Sequence, residues 1–193
     1  MNVVLRLTAM VAIFIALLTL FGCAGSHVTS FLYDGYNFDF VERVAIIPLD
    51  NLSDDRGAGA RATQVLLSEV LAARAFDVVE PGEVARVLGK FNTVRTSELT
   101  TEQIIAIGKE LKAQGLFMGS VNESATYRSG GSSVTKVSMT CRLVETEQGL
   151  TVWSASATAG GHGFWASLFG AGDQSTSEVT RSCVKKLLGS LFD

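Results

Sequence analysis

The groups in this chain that could do chemistry are few and scattered. His27 and His162 are the only histidines, one near the N-terminal end and one in a glycine-rich stretch, so a histidine base oriented by a carboxylate has no candidate. Asp50, Asp54 and Asp55 could hold a hard cation through carboxylate oxygens, but they lack the spacing and terminal glutamate of a calcium loop; turn and helix-cap duty is the expectation. Gly57-Ala58-Gly59-Ala60-Arg61-Ala62 satisfies the dinucleotide pattern G-x-G-x-x-G/A, with Glu80 about twenty residues further on. That fingerprint should follow its strand at once, whereas Asp50 to Arg56 intervenes and brings three acidic side chains towards any pyrophosphate. A helix-entry loop is the simpler reading. Cys141 and Cys183 project from apolar faces of a strand and a helix, and either a disulfide or two separate buried thiols suits them. No Cys/His cluster of zinc type is present. No catalytic residue, cofactor-binding residue or metal ligand is therefore assigned, and no cofactor is expected.

The remaining cysteine, Cys23, ends an uncharged run that starts at Leu7 after the single charge of Arg6. A basic start, an apolar stretch shorter than the roughly 18 residues of a bilayer span and a small residue before the break describe an export signal. Leu20-Phe21-Gly22-Cys23 resembles the bacterial lipobox, with Phe21 bulkier than usual. The resemblance implies cleavage before Cys23, a diacylglyceryl thioether on its sulfur and an acyl chain such as palmitate on its new amino group. Several chains anchor stably where one holds marginally, since each buried CH₂ contributes roughly 0.8 kcal/mol. The alternative is an ordinary signal peptide with an incidental cysteine.

The chain divides into a signal peptide over 1–22, a lipidated cysteine with an aromatic-rich tether over 23–40, and one domain over 41–193. The net charge of −3 becomes one unit more negative when Arg6 is removed, and no basic block exists, so nucleic acid is not an expected partner. The tether carries Phe31, Tyr33, Tyr36, Phe38 and Phe40, rings that seek burial either as a strap on their own domain or on a neighbouring subunit.

The elements that must position these groups begin with Val44-Ala45-Ile46-Ile47-Pro48-Leu49, a continuous apolar run read as a strand buried on both faces. A helix over 60–75 and a strand over 76–80 follow, and Pro81 suits the first turn of a helix ending at Leu88. Thr100 with Gln103 forms a capping box for a helix over 101–113, with Gly115 as its stop. Strands are predicted over 116–123, 134–144 and 150–158, with a polar turn over 124–133, and 178–192 closes as a helix with Val179, Cys183, Leu187 and Leu191 four apart. A βαβ start followed by an antiparallel meander makes an α/β fold with a mixed sheet, helices packed on it and a C-terminal helix.

Three stretches carry a resemblance to known families: Val44 to Ser53, Gly119-Ser120-Val121, and Leu143 to Ser154. They resemble motifs shared by the curli-secretion lipoprotein CsgG, the penicillin-binding-protein activator LpoB and the N-terminal domain of TolB. The resemblance covers roughly 41–192 and implies an open α/β sandwich that acts in the bacterial envelope through contacts with other proteins, without catalysis. CsgG-like members form rings that build an outer-membrane barrel from two hairpins per subunit. The corresponding places here are 124–133 and 157–176; the first is polar and short against the two strands of about 9–11 residues that a spanning hairpin needs, so a pore of that type is not expected.

Gly160 to Gly172 contains no Lys, Arg, Asp or Glu and places Phe164, Trp165, Leu168 and Phe169 on one side of a helical turn. This loop either plugs the domain's own core or contacts a membrane or another protein. Together these features describe a lipid-anchored, non-enzymatic envelope protein that supports assembly of a larger complex, with an oligomeric outer-membrane export component as the alternative and a periplasmic enzyme third. Expected partners are the membrane, through the anchor, other envelope proteins and a second copy of the chain. The absence of an aspartate after Cys23 implies the inner leaflet of the outer membrane, facing the periplasm.

Overall fold

The computed structural model describes residues 28–91, 95–129, 132–160 and 174–192. The apolar run after Arg43 becomes β2 (Arg43–Ile46), whose alternate side chains feed two separate cores. Val44 and Ile46 point to one, Ala45 and the following Ile47 to the other. Pro48, with no N–H to donate, ends the run, and β3 (Asp50–Asn51) resumes pairing beyond it.

Helix α1 (Ala58–Ala73) buries Ala62, Leu66 and Val70, a stripe at four-residue spacing. A Cβ at Gly59 would meet the Leu49 carbonyl oxygen at 2.8 Å, so only glycine lets the start of this helix approach the segment leading into β3 so closely. Next come β4 (Asp77–Val78) and α2 (Pro81–Leu88), with Pro81 in the first turn as expected. Both halves of the capping box at Thr100 and Gln103 form at the start of α3 (Thr101–Leu111). Its stop differs from expectation. Lys112 ends the helix in the left-handed conformation at φ 51°, and Gly115 opens the next strand.

The largest departure from the sequence reading is that next strand. β5 (Gly115–Ser129) and β6 (Ser132–Glu145) form one long antiparallel hairpin, so most of the polar segment 124–133 is strand rather than turn. Its outer part leaves Thr126, Tyr127 and Arg128 exposed, which removes the apolar alternation that marks a strand. Polar cross-strand pairs hold it instead: Thr126 and Thr135 share a hydrogen bond of 3.0 Å, and Lys136 lies 2.8 Å from Glu123.

β7 (Thr151–Gly160) pairs with β6, and the outer strand β1 (Val28–Leu32) pairs with β7, both antiparallel. The order β1-β7-β6-β5-β2-β4, with β3 beside β5, makes a mixed seven-stranded sheet. α1 and the C-terminal helix α4 (Thr176–Phe192) cover one face around Phe117 and Trp153; α2 and α3 cover the other over β2 and β5. Trp153 is wholly buried, edge-on to Phe117 at 6.1 Å, and its indole N–H donates to Ser190 Oγ at 3.2 Å. The mixed α/β fold with its C-terminal helix is as expected from the sequence.

β1 lies inside the stretch read as tether. From its end, Tyr33 to Val41 crosses the ends of β7, β6 and β5 to reach β2. Tyr36 and Phe38 pack against the domain's own core, in T-shaped contact at 5.0 Å, while Phe31, Tyr33 and Phe40 stay exposed.

Candidate functional site

The glycine-rich stretch is a helix entrance closed by the chain's own carboxylate. Gly57 N–H donates to Asp55 Oδ1 at 3.1 Å, Ser124 Oγ donates to Asp55 Oδ2 at 3.0 Å, and Arg61 pairs with the same carboxylate. The Arg61 hydrogen bond, ahead of those from Gly57 and Ser124, holds the Asp55 carboxyl below the usual carboxylate range. An anion at this helix start would meet a negative charge already in place. Glu80 sits exposed at the start of α2.

The other aspartates have separate duties. Burial alone would raise the Asp50 carboxyl, but hydrogen bonds from Ser97 and Thr96 outweigh it and leave the pKa below the usual range. Asp50 thereby pins the short 3-10 turn Thr96–Glu98 to β3. Asp54 is exposed. Among the described residues no three His, Cys, Asp or Glu side chains gather as metal ligands.

Cys141 on β6 and Cys183 on α4 share one core and stand there as separate buried thiols. Cys183 Sγ donates to the Ala157 carbonyl oxygen at 3.3 Å. Burial pushes the Cys141 thiol up to about 12 and the Cys183 thiol up to about 11, which keeps both protonated and unreactive at neutral pH. Cys23, His27, His162 and the loop residues Phe164, Trp165, Leu168 and Phe169 lie outside the described residues.

Two surfaces that sequence reasoning missed remain. One is the second face of the sheet over β6 and β7, on which none of the described helices packs. Asn122 accepts from Ser120 Oγ at 2.8 Å and donates to Thr140 Oγ1 at 2.9 Å, and Thr140 meets Ser156 at 2.9 Å. The other is a groove of about 840 Å³ between the Tyr33–Val41 crossing and the β6–β7 turn. Its floor includes Glu145, a buried carboxylate that accepts the N–H groups of Glu147, Gln148 and Leu150. No spacing signals either surface, because each joins residues from distant parts of the chain.

The family model of the peptidoglycan-synthase activator LpoB matches residues 40–158, more than half of the chain. The chain belongs to the LpoB family. The match singles out LpoB among the three resemblances of the sequence motifs; CsgG and the N-terminal domain of TolB are not singled out. No curated protein matches. Among solved structures, the PelC dodecamer from Paraburkholderia phytofirmans is similar at TM-score 0.60 and 19% identity, covering 86% of this chain and 97% of that one. Lipoprotein GNA1162 from Neisseria meningitidis follows at TM-score 0.57 and 18% identity, covering 78% and 98%. The NMR structure of E. coli LpoB is similar at TM-score 0.50 and 14% identity, covering 61% of this chain and 57% of that one. At these identities the likeness is one of fold, and membership of the LpoB family rests on the family match.

Proposed function

We propose that this chain is a lipid-anchored, non-catalytic envelope protein that works by protein contact, as an activator of a peptidoglycan synthase. The observation that carries the reading is the LpoB family match over residues 40–158. In this reading Cys23 bears the lipid, the anchor sits in the inner leaflet of the outer membrane, and the folded domain faces the periplasm. Phe164, Trp165, Leu168 and Phe169 then form a contact surface for a partner or for the membrane. The test is glycan-strand polymerisation by a peptidoglycan synthase of the same envelope, with and without the purified protein. A rate increase that saturates with added protein supports the reading, and an unchanged rate with every synthase of that envelope overturns it.

An oligomeric export component is the second reading, favoured by the likeness to PelC, a protein solved as a dodecamer. Sedimentation of the detergent-solubilised protein separates the two. A closed oligomer without synthase stimulation favours export, and a monomer that stimulates favours activation.

A further inference from the structure

The groove at the end of the sheet has a composition that selects its ligand. Asp39, Glu42, Glu145 and Glu147 line it, and among the described residues no Lys or Arg does. Beside these carboxylates stand exposed apolar groups: Phe40 at 73%, Tyr33 at 47% and Leu150 at 45%. Phe31 and Leu32, also about half exposed, lead up to it along β1. Five of the nine large apolar side chains exposed among the described residues thus gather at one end of the molecule, where exposure is ordinarily scattered. The walls are held from within. Tyr36 and Phe38 pack on the core, and the Glu145 carboxylate fixes the β6–β7 turn through three backbone N–H groups. The negative field is felt locally: burial, then the Glu145 and Glu147 carboxylates, raise the Tyr36 hydroxyl above its ordinary value.

We propose that this groove is a docking site for an extended, Lys/Arg-bearing segment of a partner protein. Charge complementarity names the cation, since a positive side chain entering the groove meets carboxylates and no competing positive charge. Ring faces add to the attraction, because a guanidinium or ammonium group is drawn to an aromatic face. An extended chain fits for a separate reason: β1 is the outermost described strand on its side, so its backbone edge, unpaired among the described residues, leads towards the groove and accepts a further strand. The proposal rests on the protein-contact reading of the function and does not depend on which enzyme is the partner.

The experiment uses the full-length protein in a non-ionic detergent and a short dye-labelled peptide of alternating Arg and Val, read by fluorescence anisotropy, with the Glu-for-Arg peptide as control. The Arg peptide binds and the Glu peptide does not. Glu42→Gln with Glu147→Gln weakens binding about tenfold, as does Tyr33→Ala with Phe40→Ala, while Glu80→Gln with Glu98→Gln, the same charge change elsewhere, leaves it within about twofold. Absence of binding overturns the proposal. So does equal weakening by both glutamate pairs, which is net charge alone, or indifference to the aromatic pair. Melting curves on each variant guard the comparison; should the aromatic pair unfold the domain, the two glutamate pairs still decide. Synthase stimulation is read separately, so a failed groove with intact stimulation leaves the function standing.

Discussion

Thr146, in the turn after β6, fills the space that a side chain on Gly108 of α3 would need: its Oγ1 lies 2.8 Å from where a Cβ would stand, and its carbon atoms lie closer. The same hydroxyl donates to the Ala113 carbonyl oxygen at 2.6 Å, so α3 is seated on the turn and tied to it. Gly108→Ala should therefore destabilise the domain by about 2 kcal/mol or more, because both partners are buried and the clash involves the threonine Cβ itself. Gly82→Ala, in α2, should do the reverse and stabilise by roughly 0.5–1 kcal/mol, since nothing lies within 4 Å of the added methyl. Urea denaturation of the two variants measures both signs.

Asp55→Asn should cost about 1–2 kcal/mol at pH 7, the range for a lost helix-entry carboxylate, discounted because the group is about one-third exposed. The pH dependence follows from the depressed pKa. With Asp55 and Asp50 both held below the usual range, the unfolded chain binds protons more readily, so their stabilisation is present above the unfolded value near 4 and is lost as pH falls through the folded values. Urea midpoints between pH 7 and pH 3 should fall less steeply for the variant than for the native chain. Parallel curves would assign the acid loss to other groups.

Cys141 and Cys183 should resist a thiol reagent at pH 8 in the folded protein and react fully once it unfolds, because burial lifts both thiols well above that pH. Protein taken from an oxidising compartment and unfolded without reductant should show two alkylatable thiols at these positions. A mass lower by two hydrogens with neither thiol reactive would establish the disulfide instead.

Cys23→Ser should abolish fatty-acid labelling and release the protein from the membrane fraction. Label retained by the variant would refute the lipid assignment.

Trp165→Ser with Phe169→Ser separates the two roles of the charge-free loop. A contact surface predicts weaker association with nearly unchanged melting temperature; burial predicts a loss of about 3–5 kcal/mol per large ring. Melting temperature and oligomer size, measured on both proteins, decide.

How far the fold could be read depended on whether local pattern and burial agree. Val44 to Leu49 is a legible strand because both its faces are buried, and Thr100 with Gln103 marks a helix start because the capping bonds span only three residues. β1 was hidden because every one of its residues but Val28 is exposed, leaving no alternation to detect. The outer half of the β5–β6 hairpin was hidden for the same reason. Lys112 stops α3 by adopting a conformation usual for glycine, so the nearby Gly115 misled. At the site, Ser124 reaches Asp55 from 69 residues away, and the groove joins Tyr33 to Glu147; such pairings arise only once the sheet has formed.

The position of β1 also decides how the molecule answers a mechanical load. A pull applied through the N-terminal end falls first on Val28, opposite Ala157 at the sheet margin, and the five registered residue pairs from there to Leu32 and Trp153 carry it in turn. Beyond them, the Tyr33 to Phe40 crossing straightens to a full span of about 28 Å before force reaches β2. The first elements to yield are thus a marginal strand and its connecting segment, and the Trp153 core stays closed. The N-terminal end behaves as a sacrificial, re-formable spring ahead of a domain whose two cores need not open under load.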